Sequence, residues 1–151
     1  MRDRLKEMLA TSMKAGDKCR LGTVRLILAA IKDRDIANRT AGKDDIISDY
    51  DILTLLQKMV KQRRESTKMY QDGGRMELAA QEEEEIAIIE EFLPQQIGAA
   101  EIEAAVAAVV AETGAAGLKD MGGVMALLKK RFTGRMDFAQ AAAQVKNLLG
   151  G

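Results

Sequence analysis

The sequence predicts an all-α protein: an N-terminal domain built on a long-helix hairpin, residues 1–97, and a small three-helix C-terminal module, residues 98–151. Three observations predict it. One proline stands in 151 residues, and Ala, Leu, Met, Lys and Glu, the strong helix formers, dominate. Apolar residues recur at a spacing of three and four in successive segments. Breaks bearing glycine or proline punctuate those segments.

The first helix is expected over residues 2–15, with Leu5, Met8, Leu9 and Met13 as its apolar positions, and Gly16-Asp17 breaks it. The second covers residues 18–39 with a stripe of Leu21, Val24, Leu28, Ile31 and Asp35, followed by a loop over 40–45 pivoting on Gly42. Ser48 has the chemistry of an N-cap for a third helix over 49–71, with Asp49 and Asp51 favourable to the dipole of its first turn. Its apolar stripe is Ile52, Leu55, Leu56, Met59 and Tyr70, and Lys61, Arg64 and Lys68 gather on the opposite side. After Gly73-Gly74 a fourth helix runs over 76–92, with Leu78, Ile86, Ile89, Phe92 and Leu93 on its apolar side, and Pro94 stops it.

Arg63 falls inside the apolar stripe of the third helix, and Glu82 and Glu85 fall inside that of the fourth. They lie at similar distances on either side of the Gly73-Gly74 turn, so an antiparallel hairpin sets them face to face. The expectation is a buried Arg63–Glu82/Glu85 pair that fixes the hairpin register.

Residues 95–99 read as a linker, and three short helices follow over 100–112, 120–132 and 138–149. Gly114-Ala-Ala-Gly117 and Thr133-Gly134-Arg135 separate them. Asp120 and Asp137 are placed to cap the last two, the second with Gln140 three residues on. The expected core is Val106, Val109, Val124, Leu127, Leu128, Val145 and Leu148.

Charge is balanced overall and uneven along the chain. Residues 1–76 hold seventeen Lys and Arg against eleven Asp and Glu, residues 77–97 hold seven Glu and no base, and the remainder holds six against five. The whole protein is therefore not a basic nucleic-acid binder, and any anion site must be local. Three Phe, two Tyr and no Trp offer few base-stacking platforms. With a single cysteine and no histidine, disulfide frameworks and the usual zinc sites are excluded. Glu82 to Glu85 point in four directions from a helix and do not converge on one ion. No P-loop, Gly-x-Gly-x-x-Gly or Gly-x-Ser-x-Gly motif is present. Cys19 stands between Lys18 and Arg20, which would favour a thiolate, although a small residue beside a turn explains it more simply. No leader pattern or apolar run of about 20 residues is found, so the expectation is a soluble, cytosolic monomer with no membrane contact.

Two basic sets remain as candidate nucleic-acid-binding residues. One is Lys61, Arg64 and Lys68; the other is Lys119, Gly122, Gly123, Lys129, Lys130, Arg131 and Arg135 in the tail. Two glycines in the first turn of a helix each cost about 1 kcal/mol relative to Ala. They let another backbone approach N–H groups that attract anions, whereas the pattern alone favours tight helix packing as their reason.

At these residues the chain resembles the YqeY family, also called GatB/YqeY-domain proteins. The likeness covers essentially the full length. It is carried by Lys14-Ala-Gly-Asp17, Arg25-Leu26, Ala29-Ala-Ile-Lys32, the run from Lys58 to Ser66, Tyr70, Gly73, Arg75 and Phe92-Leu-Pro-Gln-Gln-Ile97. In the tail it is carried by Lys119-Asp-Met-Gly122, Val124-Met125, Gly134-Arg135 and Asp137. The resemblance implies an all-α fold whose tail is similar to the tail domain of the B subunit of the glutamine-dependent aspartyl/glutamyl-tRNA amidotransferase, which helps hold tRNA. By similarity it also implies carbon–nitrogen ligase activity with glutamine as amido donor, yet no standalone catalytic constellation is visible and no catalytic residue is assigned. Three positions depart from the family's tail pattern: Gly123 for Lys, Met136 for Ala and Phe138 for Gly. The reading is an accessory protein associated with tRNA through its tail. The alternatives are an enzyme or enzyme subunit in glutamine-dependent amidation that needs an amidotransferase partner carrying the active site, and a protein–protein adaptor. No cofactor or metal is implied.

Overall fold

The computed structural model describes residues 1–43 and 46–150; Asp44 and Asp45, which end the expected 40–45 loop, and Gly151 lie outside the described residues. Among the described residues the chain forms seven α-helices and one 3₁₀ turn, with no strand. The helices are α1 (Arg2–Ala15), α2 (Lys18–Thr40), α3 (Asp49–Asp72), α4 (Met76–Glu90), α5 (Ala99–Thr113), α6 (Met121–Arg131) and α7 (Phe138–Gly150), with the 3₁₀ turn at Leu118–Asp120 between α5 and α6. The fold is all-α. It divides into two compact units, Met1–Leu93 and Pro94–Gly151.

In the first unit α1 and α2 form one hairpin and α3 and α4 another, the second being the more extensive pairing. Ser48 caps α3, its hydroxyl accepting the Asp51 N–H at 3.2 Å, so one of the orphan donors of the helix start is satisfied. At the other end Gly74, at φ +74°, makes the reversal into α4, a conformation that a residue with a Cβ adopts only at a cost. The fourth helix ends at Glu90, two residues before the expected end. Pro94 disfavours helical backbone in the residue before it, and this draws the end back.

Leu5, Val24, Ile27, Ile52, Leu56 and Ile89 are fully buried and form the centre of this unit. Several expected apolar positions turn outward: Met13 is 56% and Leu78 36% exposed, while Ala79 is buried in place of Leu78. The buried face of α2 is Thr23, Val24, Ile27 and Ile31, rotated from the expected stripe. Ile27 joins the core because α2 packs against both α3 and α4, and one narrow stripe cannot face two partners.

Polar side chains tie the unit together, among them Arg2 with Asp35 and Arg63 with Glu85. Arg2 holds Asp35 with both terminal nitrogens, at 3.0 and 2.9 Å, and also donates to the Ile47 carbonyl at 3.1 Å. Asp35 in turn accepts the Ile47 N–H at 2.8 Å. The hydrogen-bonded Arg2 guanidinium, joined by the Ile47 N–H, holds the Asp35 carboxyl below the usual carboxylate range. Between α3 and α4, Arg63 Nε donates to Glu85 Oε2 at 3.1 Å, with the two side chains 15% and 17% exposed.

Glu82 shares that environment on less favourable terms. Burial pushes its carboxyl up, Glu85 adds to the rise, and Arg63 opposes it. An acid raised in the folded state weakens the fold at pH values above its unfolded range, and the penalty vanishes once it is protonated. Glu82→Gln is therefore expected to stabilise the protein at neutral pH by about 0.5–1 kcal/mol. The gain should disappear in acid. Urea melts at pH 7 and pH 4 check this, and a variant less stable than the parent at pH 7 would refute it.

Cys19 is only partly buried. Burial, Glu84 and Glu85 raise its thiol pKa, against a smaller opposing effect from Thr23. Burial and these acids of α4 act against the thiolate that the sequence position between Lys18 and Arg20 suggested.

In the second unit α5, α6 and α7 enclose Ile102, Val106, Val109, Val124, Leu128, Met136, Ala141 and Val145. Leu127 is only half-buried, and Leu148 is 54% exposed, outside the core expected for it. Met136 fills space there at 1% exposure, and Phe138 packs half-buried against the same cluster. Both side chains thus serve packing.

The segment expected as a linker is bonded into this unit. Ile97 N–H donates to the Arg135 carbonyl at 2.9 Å, Gln96 Nε2 to the Gly134 carbonyl at 2.5 Å, and Arg135 Nε to the Gln95 carbonyl at 3.1 Å. Gly134, at φ +72°, makes the turn that presents these groups.

Candidate nucleic-acid interface

The tail candidates are distributed by α6. Its first turn carries Gly122 and Gly123, both exposed, and a Cβ built on either would meet nothing within 4 Å. The packing reason for these glycines therefore fails, and they leave the start of the helix open to solvent.

Asp120 does not cap α6 through its side chain. Its carboxylate reaches back to accept the N–H groups of Ala116 and Gly117, at 3.0 and 3.2 Å, and these bonds hold its pKa low. The 3₁₀ turn moves the helix start one residue on, and so the expected cap became a loop clasp. Asp137 does cap α7, accepting from Ala139 and Gln140 at 3.0 and 3.2 Å. Lys119 lies exposed within the 3₁₀ turn, beside the open glycine end.

Lys129, Lys130 and Arg131 form the last turn of α6, where cations complement the helix dipole. Ten residues of helical rise separate them from Lys119, roughly 15 Å. The tail cations therefore form two groups, one at each end of α6, and no single site. Lys129 and Lys130 are exposed and make no ion pair among the described residues.

Arg131 is engaged: its two terminal nitrogens meet Glu112 at 2.7 and 2.6 Å, an exposed fork that lowers the Glu112 carboxyl pKa. Arg135 is engaged as well, through Gln95 and by lying 6.0 Å over the Phe132 ring. Glu112, Gln95 and Phe132 are the neighbours that sequence reasoning did not anticipate. Glu112 is supplied by the packing of α5 on α6 and Gln95 by the segment before α5, neither of which the local pattern around Arg131 or Arg135 reveals.

In the other unit Lys61, Arg64 and Lys68 lie exposed along one face of α3. Arg64 donates to Glu90 of α4 at 2.5 Å, which leaves it partly neutralised. Lys61 and Lys68 are spaced seven residues apart on either side of it.

The family described as "Yqey-like protein" matches residues 2–149. Among curated proteins the chain is 34% identical over 99 residues to "Altered inheritance of mitochondria protein 41, mitochondrial" of Lachancea thermotolerans, covering 66% of this chain and 51% of that one. The protein of the same name from Saccharomyces cerevisiae is 30% identical over 91 residues, covering 60% and 47%. An uncharacterized protein of Schizosaccharomyces pombe is 29% identical over 91 residues, covering 60% and 70%. The matches thus span about half the length of the mitochondrial relatives.

The name of those relatives places them in mitochondria, and this overturns the cytosolic expectation. Among the described residues no helix is long and apolar enough to cross a membrane. With nearly the full sequence matched by one family, the chain belongs to the YqeY family.

Proposed function

We propose that this protein is an accessory module that contacts tRNA through phosphate groups, using the two ends of α6. The observation that supports this reading is the open glycine start of α6 beside Lys119, together with the exposed, unpaired Lys129 and Lys130 at its end. Backbone N–H groups at a helix start and exposed ammonium groups both suit phosphate oxygens. Contact of this kind reads backbone shape and charge, with no base edge involved. Arg131 and Arg135 have structural partners and contribute less. In this reading the protein supplies the tRNA contact, and a separate amidotransferase subunit supplies any glutamine-dependent carbon–nitrogen ligation.

Binding of the purified protein to bulk tRNA across a salt series tests the reading. Neutralisation by Lys119, Lys129 and Lys130 gives a log–log slope of roughly −2 to −3. Lys129→Ala with Lys130→Ala should reduce the slope by about 1–2 and leave the melting temperature unchanged. Arg135 is left intact, because its side chain also holds the Gln95 carbonyl. Absence of binding even at low salt would reject the tRNA role and turn the search to protein partners.

A further inference from the structure

A further cationic feature lies in the N-terminal unit. Arg34 and Asn38 stand one turn apart on α2, Lys43 follows the end of that helix, and Lys58 lies on α3. All four line one cleft of about 600 Å³, together with Ile47 and Leu55. Those two residues are 7% and 9% exposed and give the cleft an apolar floor. The volume is within the roughly 300–1,000 Å³ range of small-molecule sites, which join an apolar lining to a few polar groups.

Two features set this cleft apart from an ordinary solvated surface. Its wall is fixed in advance: the Ile47 backbone is held by Asp35 at its N–H and by Arg2 at its carbonyl. Its described lining is cationic: among the described residues of the lining Asp51 is the one acid, against three cations that form no ion pair with another described residue. Like charges around a concave, low-dielectric surface focus the field outward and draw in an anion.

We propose that the cleft binds a small phosphorylated organic anion. Its phosphate is held among Arg34, Lys43 and Lys58, and its apolar part rests on Ile47 and Leu55. A bare inorganic ion leaves that floor uncovered. An RNA backbone phosphate is expected to ride on the exposed rim and leave the floor empty as well.

The test uses the full chain and follows backbone amide shifts by NMR during titration with AMP, inorganic pyrophosphate and adenosine. AMP should saturate shifts at Asn38, Lys43 and Ser48, and bind more tightly than either other probe. Arg34→Ala with Lys58→Ala should weaken it by about tenfold or more, the loss of one or two charge-assisted hydrogen bonds. Both side chains are exposed, so the variant is expected to keep the parent's melting temperature. Lys129→Ala with Lys130→Ala should leave AMP binding unchanged, which separates this proposal from the tRNA reading.

No saturable shift with AMP or pyrophosphate at millimolar concentration would overturn the site. Adenosine binding as well as AMP would overturn its anion selectivity. Displacement of AMP by bulk tRNA would assign the cleft to RNA and overturn the small-molecule proposal.

Discussion

Replacing Arg63 with methionine is expected to destabilise the N-terminal unit by about 3 kcal/mol, the lower end of the range for breaking a buried ion pair. For a unit of this size that is a fall in melting temperature of roughly 12–24 °C. Arg63 and Glu85 are mostly, though not wholly, buried, at 15% and 17% exposure, so the lower end applies. The loss arises less from the missing contact than from what remains. Glu85 would be left desolvated beside Glu82, which burial and Glu85 itself already push toward its neutral form. Two consequences follow that a simple packing loss would not produce. The deficit should shrink in acid, where the stranded charge takes up a proton. Arg63→Met combined with Glu85→Met should recover most of it, since an apolar pair removes the desolvation cost altogether. Thermal melts of the single and double variants at pH 7 and pH 4 decide the matter. A single variant as stable as the parent would mean that the pair contributes nothing.

Asp35→Asn is expected to cost about 2 kcal/mol at pH 7, within the range for hydrogen bonds to a charged group. The asparagine amide keeps the shape but presents donors to Arg2, whose two nitrogens now meet Asp35 oxygens. The Asp35 carboxyl is lowered in the folded state, chiefly by its hydrogen bond to Arg2 and then by the Ile47 N–H. Its contribution is therefore complete above the unfolded carboxylate range, near pH 4, and is lost as pH falls through the lower folded value. The stability gap between parent and variant should be constant from pH 7 to about pH 5 and close below pH 4. Guanidinium melts across that interval measure it. A gap independent of pH would show that shape, and not charge, holds Ile47 in place.

The helical skeleton was legible because glycine, proline and capping residues act locally. Ser48, Gly74 and Pro94 mark their boundaries through their own backbone chemistry, and neighbouring helices do not alter it. Arg63 was legible for a different reason. A charge in an apolar stripe needs a partner, and a tight turn leaves few places for one. Less was legible where two helices compete for one face. Ile27 entered the core and Leu78 and Leu148 left it because packing sets which residues of an apolar face are covered. The basic set in the tail was visible as residues but not as geometry: Arg131 is held by Glu112, and Lys119 stands a helix length from Lys129. The cleft at Arg34, Lys43 and Lys58 left no mark in the sequence, since its cations come from three separated segments.

The bonds of Gln95, Gln96 and Ile97 to the Gly134–Arg135 turn bear on how this tail can be transplanted. A graft that begins at residue 98, where the helix count alone would cut, leaves behind the partners of Gly134 and Arg135. The turn between α6 and α7 then has to find water for a carbonyl and a guanidinium that it now shares with the chain. A graft that begins at Pro94 carries its own fastening. The portable unit is thus a three-helix bundle with its leader, and the leader sets the orientation of Arg135 wherever the tail is placed.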